Sequence, residues 1–338
     1  MCSRRCHYIG TIEPGRGGAI MSALILAIPS KGRLEEASAE IFAKAGLQLK
    51  RDGSRGYRGN LPGLDHVLVE YVSAGDIAAR LAEGSVHMGI TGEDLLREEI
   101  PDMESAVQLC LPLGFGQADV VVAIPNGWVD VTTMFDLADV AAEFRTRHGR
   151  LMRVASKYEH LTYDFFIRHG VEFQWLPSFG ATEAAPNSGA AEAIVDITST
   201  GTTLKANDLR IPEDGVILKS QANLAAALKA DWSPEGRAAA KRILAQISAM
   251  QAGEKMMELK FIAPAPPEQF IAIDDALMHN AVASDGAFAC TMIVPRDRFP
   301  DMRDALGQRG IAVIADMPKF IFGPDNNRAY ERLTGALA

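Results

Sequence analysis

From residue 23 onward, short apolar runs alternate with segments whose apolar residues recur at helical spacing, and this alternation restricts the fold more than any other feature of the chain. ALILAI (23–28) is bounded by Pro29, Ser30, Lys31 and Gly32, which suits a strand buried on both faces. Leu34, Ala37, Ile41, Phe42 and Ala45 then keep helical spacing until Gly46, a residue tolerant of the left-handed conformation in which helices often end. The pattern repeats through 66–71, GDIAARLAEG, VHMGI and TGEDLLREE, and such an order predicts a parallel α/β sheet.

A second set begins at ADVVVAIP (118–125) and passes through predicted helices over 136–148 and 162–169, with MRVAS, VEFQWLP and AEAIVDI as strands. GVILKSQANLAAAL (215–228) resumes strand character, and RAAAKRILAQISAMQAGEKMM predicts a long helix. These segments read as two α/β lobes. The expected boundaries are a tail over 1–21, lobe I over 22–117 and 215–257, and lobe II over 118–214. After the proline-rich APAPPE (263–268), strand, helix, strand, strand, helix and strand predict a small ferredoxin-like domain over 258–338.

The length of 338 residues accommodates these two or three domains. With 34 Lys and Arg against 43 Asp and Glu, the net charge of −9 repels nucleic acid and anionic membranes, so any polyanion must be held by local basic clusters. No window approaches the roughly 18–20 consecutive apolar residues of a membrane span. Cys2, Cys6, Cys110 and Cys290 are too scattered for a disulfide framework, which leads us to expect reduced thiols and a cytoplasmic protein. Cys2, Cys6 and His7 read as tail rather than metal site, and the first 20 residues lack the apolar stretch of a secretory signal.

The stretch richest in chemistry is EAAPNSGAAEAIVDITSTGTTL (183–204). Ile194, Val195 and Ile197 predict a buried strand that delivers Asp196, Thr198, Ser199, Thr200, Gly201, Thr202 and Thr203 to its carboxyl end. A loop of this kind ahead of a helix offers backbone N–H groups and hydroxyls to a phosphate, while a neighbouring carboxylate suits sugar hydroxyls. Taken alone, these residues read more readily as a solvated Ser/Thr turn with an N-cap. Lys31, Gly32 and Arg33 similarly read as a pyrophosphate loop or an exposed basic loop. Arg51, Arg55 and Arg58, with Tyr57 between them, form a second basic cluster, and Glu93 and Asp94 open a helix where negative charge is favourable.

Glu183, Gly189, Ala191, Ile194, Asp196, Ile197, Thr200, Gly201, Thr203 and Leu204 together resemble the signature of the ATP phosphoribosyltransferase family, the first enzymes of histidine biosynthesis. The resemblance runs from about 23 to 257 and includes SKGRL at Ser30, GDIAARL at Gly75 and GITGEDLL at Gly89, with His87 standing where the family usually has Asp. It implies two lobes of type II periplasmic-binding-protein architecture with the active site between them, followed by an ACT-like regulatory domain. The implied reaction moves the phosphoribosyl group of phosphoribosyl pyrophosphate to adenine ring nitrogen 1 of ATP, with Mg²⁺. In that frame the 198–203 loop takes the 5′-phosphate, and Glu183 and Asp196 take the ribose hydroxyls. Lys31, Arg33 and Arg55 stabilise the leaving pyrophosphate, and Tyr57 and Glu93 meet the nucleotide. Histidine inhibition and a homo-oligomer, dimer or hexamer, are further implications. The competing expectation is a two-lobed anion-binding module without turnover, since this architecture is shared with such modules.

Overall fold

The computed structural model describes residues 23–53, 56–269 and 276–338. Leu24–Pro29 lies at the centre of a seven-stranded sheet, in parallel with Val67–Val72 on one side and Met88–Gly92 on the other. Its side chains are almost all buried, as the unbroken apolar run requires of a strand covered on both faces. The Gly32–Lys44 and Ala74–Glu83 helices connect these strands, and Ser73 caps the second by accepting from the Asp76 N–H. Lobe II repeats the plan with Met152–Ser156, Phe173–Pro177 and Ala193–Thr198 in parallel.

The sheets are mixed rather than parallel. Each lobe takes in a strand from the other side of the crossing. Asp119–Pro125 enters lobe II antiparallel to Ala193–Thr198, and Ala222–Ala227 returns to lobe I antiparallel to both Met88–Gly92 and Val107–Pro112. The apolar run 215–228 is two strands, because Val216–Leu218 pairs with Asp119–Pro125 in lobe II. The return crossing thus falls at 219–221, a few residues beyond the boundary expected at 215. A two-lobed α/β core in which each sheet takes in an antiparallel strand at the crossing has the connectivity of the type II periplasmic-binding architecture.

The Pro234–Glu254 helix, capped by Ser233 with proline in its first turn, leads straight into Met256–Ala263 of a third, four-stranded antiparallel sheet. The order Met278–Ser284, Ala287–Pro295, Met256–Ala263, Val313–Asp316, with Phe299–Gly307 packed on one face, is ferredoxin-like. Of the helix expected after Ala263, Pro267–Gln269 forms a 3₁₀ turn, and 270–275 lie outside the described residues.

The expected domain 258–338 is divided. Ala329 and Leu333 of the Arg328–Ala336 helix are buried in the core of lobe I, with Phe320, Tyr330 and Leu337 packed around them. Ile321 N–H donates to Ala249 O at 3.0 Å, and Arg332 Nη2 to Cys110 O at 2.8 Å. The last segment therefore leaves the third sheet and straps back over lobe I, because its apolar stripe matches an uncovered face there.

Candidate active site

Parallel strands present their carboxyl ends on one side of each lobe, and both sets of ends border the space between the lobes. In lobe II, Ala193–Thr198 delivers a loop that turns at Gly201 into a five-residue helix, Thr202–Ala206. Gly201 sits at φ 71°, a left-handed conformation that costs glycine nothing. Thr198 Oγ1 accepts the Gly201 N–H at 2.8 Å, and the Thr200 and Thr202 hydroxyls are 2.8 Å apart. The hydroxyls of Ser199, Thr200, Thr202 and Thr203 lie on exposed residues, beside first-turn N–H groups that a helix leaves without internal partners.

Opposite this loop stands Arg33. It shares with Leu34 and Ala37 the lobe I wall of a cleft of about 640 Å³ whose other wall is Ile197, Thr198, Ser199, Thr200 and Thr203. The floor comes from the outgoing crossing, Phe115–Ala118, which nothing in the sequence marked as functional. Lys31 is exposed at the end of the central strand, next to Gly32, but does not line this cleft. Glu93 is turned away from free solvent and held by Arg97 at 2.8 Å. Tyr57 is 76% exposed just ahead of Arg58–Asn60, a strand near the edge of the lobe I sheet. Within the basic cluster Arg51 is consumed locally, paired with Glu35 and lying over the Tyr71 ring at 4.3 Å. Arg55 lies outside the described residues.

Asp196 is half-buried, and its carboxyl is raised above the usual range mainly by burial, with the nearby Glu183 charge adding to the effect. The Ile197 N–H at 2.8 Å and the Lys157 ammonium act in the opposite direction. Lys157 and Asp196 line a second hollow of about 450 Å³ at the carboxyl ends of the lobe II strands, with Ser178, Gly180 and Thr182. A desolvated carboxylate here favours a partner that donates to it.

Glu192, which no motif in the sequence marks, ties this region together. Its carboxylate accepts from Arg150 at 3.0 and 3.1 Å and from the Arg153 backbone and side chain, while Arg153 Nη2 also donates to Gly189 O at 2.8 Å. Burial alone would raise the Glu192 carboxyl, yet the hydrogen bonds from Arg150 and Arg153 hold it down at about 2. His87, by contrast, belongs to the far end of the sheet. Its Nδ1 accepts the Ile25 N–H at 3.1 Å, so Nε2 donates to Asp231 O at 3.0 Å, and the ring packs edge-on against Trp232. It is a tie between strands and has no place in the cleft.

A family model described as ATP phosphoribosyltransferase (HisG) matches residues 73–249. An ATP phosphoribosyltransferase of Afipia carboxidovorans is 54% identical over 267 residues, covering 78% of this chain and 80% of its own. The chain belongs to the ATP phosphoribosyltransferase family. A relative of the same name from Nitrobacter hamburgensis is 46% identical over 304 residues, covering 86% of this chain and 91% of its own. Among solved structures, the ATP phosphoribosyl transferase (HisG:HisZ) complex of Thermotoga maritima superposes with a TM-score of 0.51 at 26% identity, covering 66% of this chain and 95% of that one. The family membership makes the protein a transferase, and the cleft between its lobes is the place where its chemistry is to be sought.

Proposed function

We propose that the cleft binds phosphoribosyl pyrophosphate and ATP and transfers the phosphoribosyl group to adenine ring nitrogen 1, releasing pyrophosphate, as the first step of histidine biosynthesis. The observation that carries this reading is the single cleft in which Arg33 of lobe I lies across from Thr198, Ser199, Thr200 and Thr203 of lobe II. The loop hydroxyls and the helix-start N–H groups from Thr202 onward receive the 5′-phosphate, while Gly201, whose N–H donates to Thr198 Oγ1, shapes the turn that presents them. Asp196 and Glu183 accept from the ribose hydroxyls, a role that suits Asp196 because burial raises its carboxyl and a further donor would favour the charged form.

Pyrophosphate gains charge as the glycosidic bond breaks, so cations aimed at it stabilise the transition state more than the ground state. Lys31 and Arg33 are assigned this work from the loop after the central strand, and Arg55 on the family resemblance alone. Tyr57, an exposed ring, and Glu93, whose carboxylate Arg97 holds in place, are assigned to the nucleotide on the family resemblance. No group of three or more His, Cys, Asp or Glu among the described residues is placed to hold a metal. Mg²⁺ fits the site as an ion carried by substrate phosphates, with Asp196 and Glu183 the carboxylates at hand, because it keeps several waters and takes only one or two protein carboxylates. When bound, it supplies further neutralisation of the phosphate charge.

The third sheet is assigned to histidine binding and feedback inhibition, and a homo-oligomer, dimer or hexamer, is supported by its open face. Ile262, Met278, Val282 and Ile314 are all more than half exposed on the side opposite the Phe299–Gly307 helix. Among the described residues no helix is long and apolar enough to cross a membrane, and Cys110 and Cys290 are free thiols, in keeping with a cytoplasmic enzyme. The test is formation of phosphoribosyl-ATP from the two substrates. Thr200→Val and Thr203→Ala should each raise the KM for phosphoribosyl pyrophosphate about tenfold or more, the loss of one hydrogen bond to a charged group being worth roughly 1.5–3 kcal/mol. Unchanged constants in both folded variants would remove the loop from the site, and binding without product would favour the anion-binding module.

A further inference from the structure

We propose that Asp94 is a positioning residue that reaches from lobe I to lock the Ser156–Tyr158 turn of lobe II, fixing the angle at which the two walls of the cleft meet. Asp94 and Glu98 stand one turn apart on the Glu93–Glu99 helix, and both are almost wholly buried, at 6% and 9% exposure. Asp94 Oδ2 accepts the Tyr158 hydroxyl at 2.7 Å, and Oδ1 accepts the Ser220 hydroxyl at 2.8 Å. Its own N–H donates back to Ser220 Oγ at 3.0 Å. Tyr158 belongs to lobe II, while Ser220 lies on the return crossing, so one carboxylate holds both the far lobe and the hinge. Glu98 completes the contact by accepting the His160 and Leu161 N–H groups, each at 3.1 Å, at the start of the Glu159–Arg168 helix.

The surrounding chain is shaped for this carboxylate. A Cβ at Gly92 would stand 2.2 Å from Asp94 Oδ1, so only a residue without a side chain lets the carboxylate fold back there. A buried carboxylate that loses its donors is left with the full cost of desolvation, so a rotation of lobe II that pulled Tyr158 away would be opposed at this point. Holding Tyr158 also holds its neighbour Lys157, which shares a hollow with Asp196. The inference rests on the assignment of phosphoribosyl pyrophosphate to both walls of the cleft, and it predicts that the latch matters for ligands that touch both lobes and not for those that touch one.

Tyr158→Phe removes one hydroxyl with little change of shape, and Ser220→Ala provides a second, milder break. Calorimetry on the full chain compares phosphoribosyl pyrophosphate, which spans the cleft, with ribose 5-phosphate, which needs only lobe II. In either folded variant the first should bind about tenfold more weakly and the second should be unchanged, since loosening lowers only the fraction of molecules in the two-walled state. Equal weakening of both ligands, or of neither, overturns the proposal. Spin labels introduced by Glu83→Cys on lobe I and Arg147→Cys on lobe II give a readout that does not depend on where the substrate binds. Their distance distribution should broaden in Tyr158→Phe; an unchanged distribution overturns the latch whatever the ligands do. If it broadens while Thr200→Val leaves both affinities intact, the latch stands and the phosphate-loop assignment is the part that fails.

Discussion

Leu333→Ala tests whether the C-terminal helix is a structural part of the catalytic lobe. Leu333 is 1% exposed and joins the core built from Leu24, Leu26, Phe42 and Ile243, on a helix that packs against Val107–Pro112 and Pro234–Glu254. The substitution removes three buried carbons, about 2.4 kcal/mol at roughly 0.8 kcal/mol each. The cavity left in so well enclosed a site adds to this, giving about 3 kcal/mol within the usual range of roughly 2–5 for buried leucine. For a unit of this size that corresponds to a fall in Tm of about 6–12 °C. The assay is the temperature at which phosphoribosyl-ATP synthesis is lost irreversibly, read beside calorimetric unfolding. Leu306→Ala, equally buried but in the separate core of the third sheet, is the control. It should disturb the third sheet while sparing the unfolding of the catalytic lobe. Catalytic activity that survives heating equally well in Leu333→Ala and the parent would refute the reasoning. The same geometry warns against testing histidine regulation by removing everything after Met257, because that cut also strips Ala329 and Leu333 from lobe I.

Glu192→Gln should destabilise the protein in a pH-dependent way. Because its carboxyl is held below its unfolded value, the stability it contributes is present at neutral pH and is lost as pH falls from about 4.5 to about 2. Melting curves should therefore show a gap between variant and parent at neutral pH that closes in this window, and a gap independent of pH would assign the effect to packing. Arg55→Ala should lower kcat more than it raises either KM, the signature of an interaction made chiefly in the transition state. A change confined to the KM for ATP would make Arg55 a nucleotide anchor instead.

The candidate site was legible in part because its chemistry is local. The run from Asp196 to Thr203 is contiguous, and a buried strand followed by hydroxyls and a glycine carries its own geometry wherever it is placed. Arg33 was legible for the same reason, as the residue just inside a helix that follows a buried strand. Arg51 shows the limit: it is a charge in a suggestive position, yet it is occupied by Glu35, a partner 16 residues away that the spacing of charges did not single out.

By itself the sequence determined that apolar runs and helical segments alternate, and hence that this is an α/β chain with a small antiparallel domain behind it, since each run states which of its faces must be buried. It does not state against what. Only the tertiary structure decided that Val216–Leu218 and Ala222–Ala227 join different sheets, and that the last helix closes lobe I. It also brought Asp94 to Tyr158 across 64 residues and to Ser220 across 126, and Arg332 to Cys110 across 222. Burial and helical periodicity are properties of neighbouring residues and can be read along the chain, whereas a hydrogen bond between distant residues exists only once the chain has folded and water has been excluded from both groups.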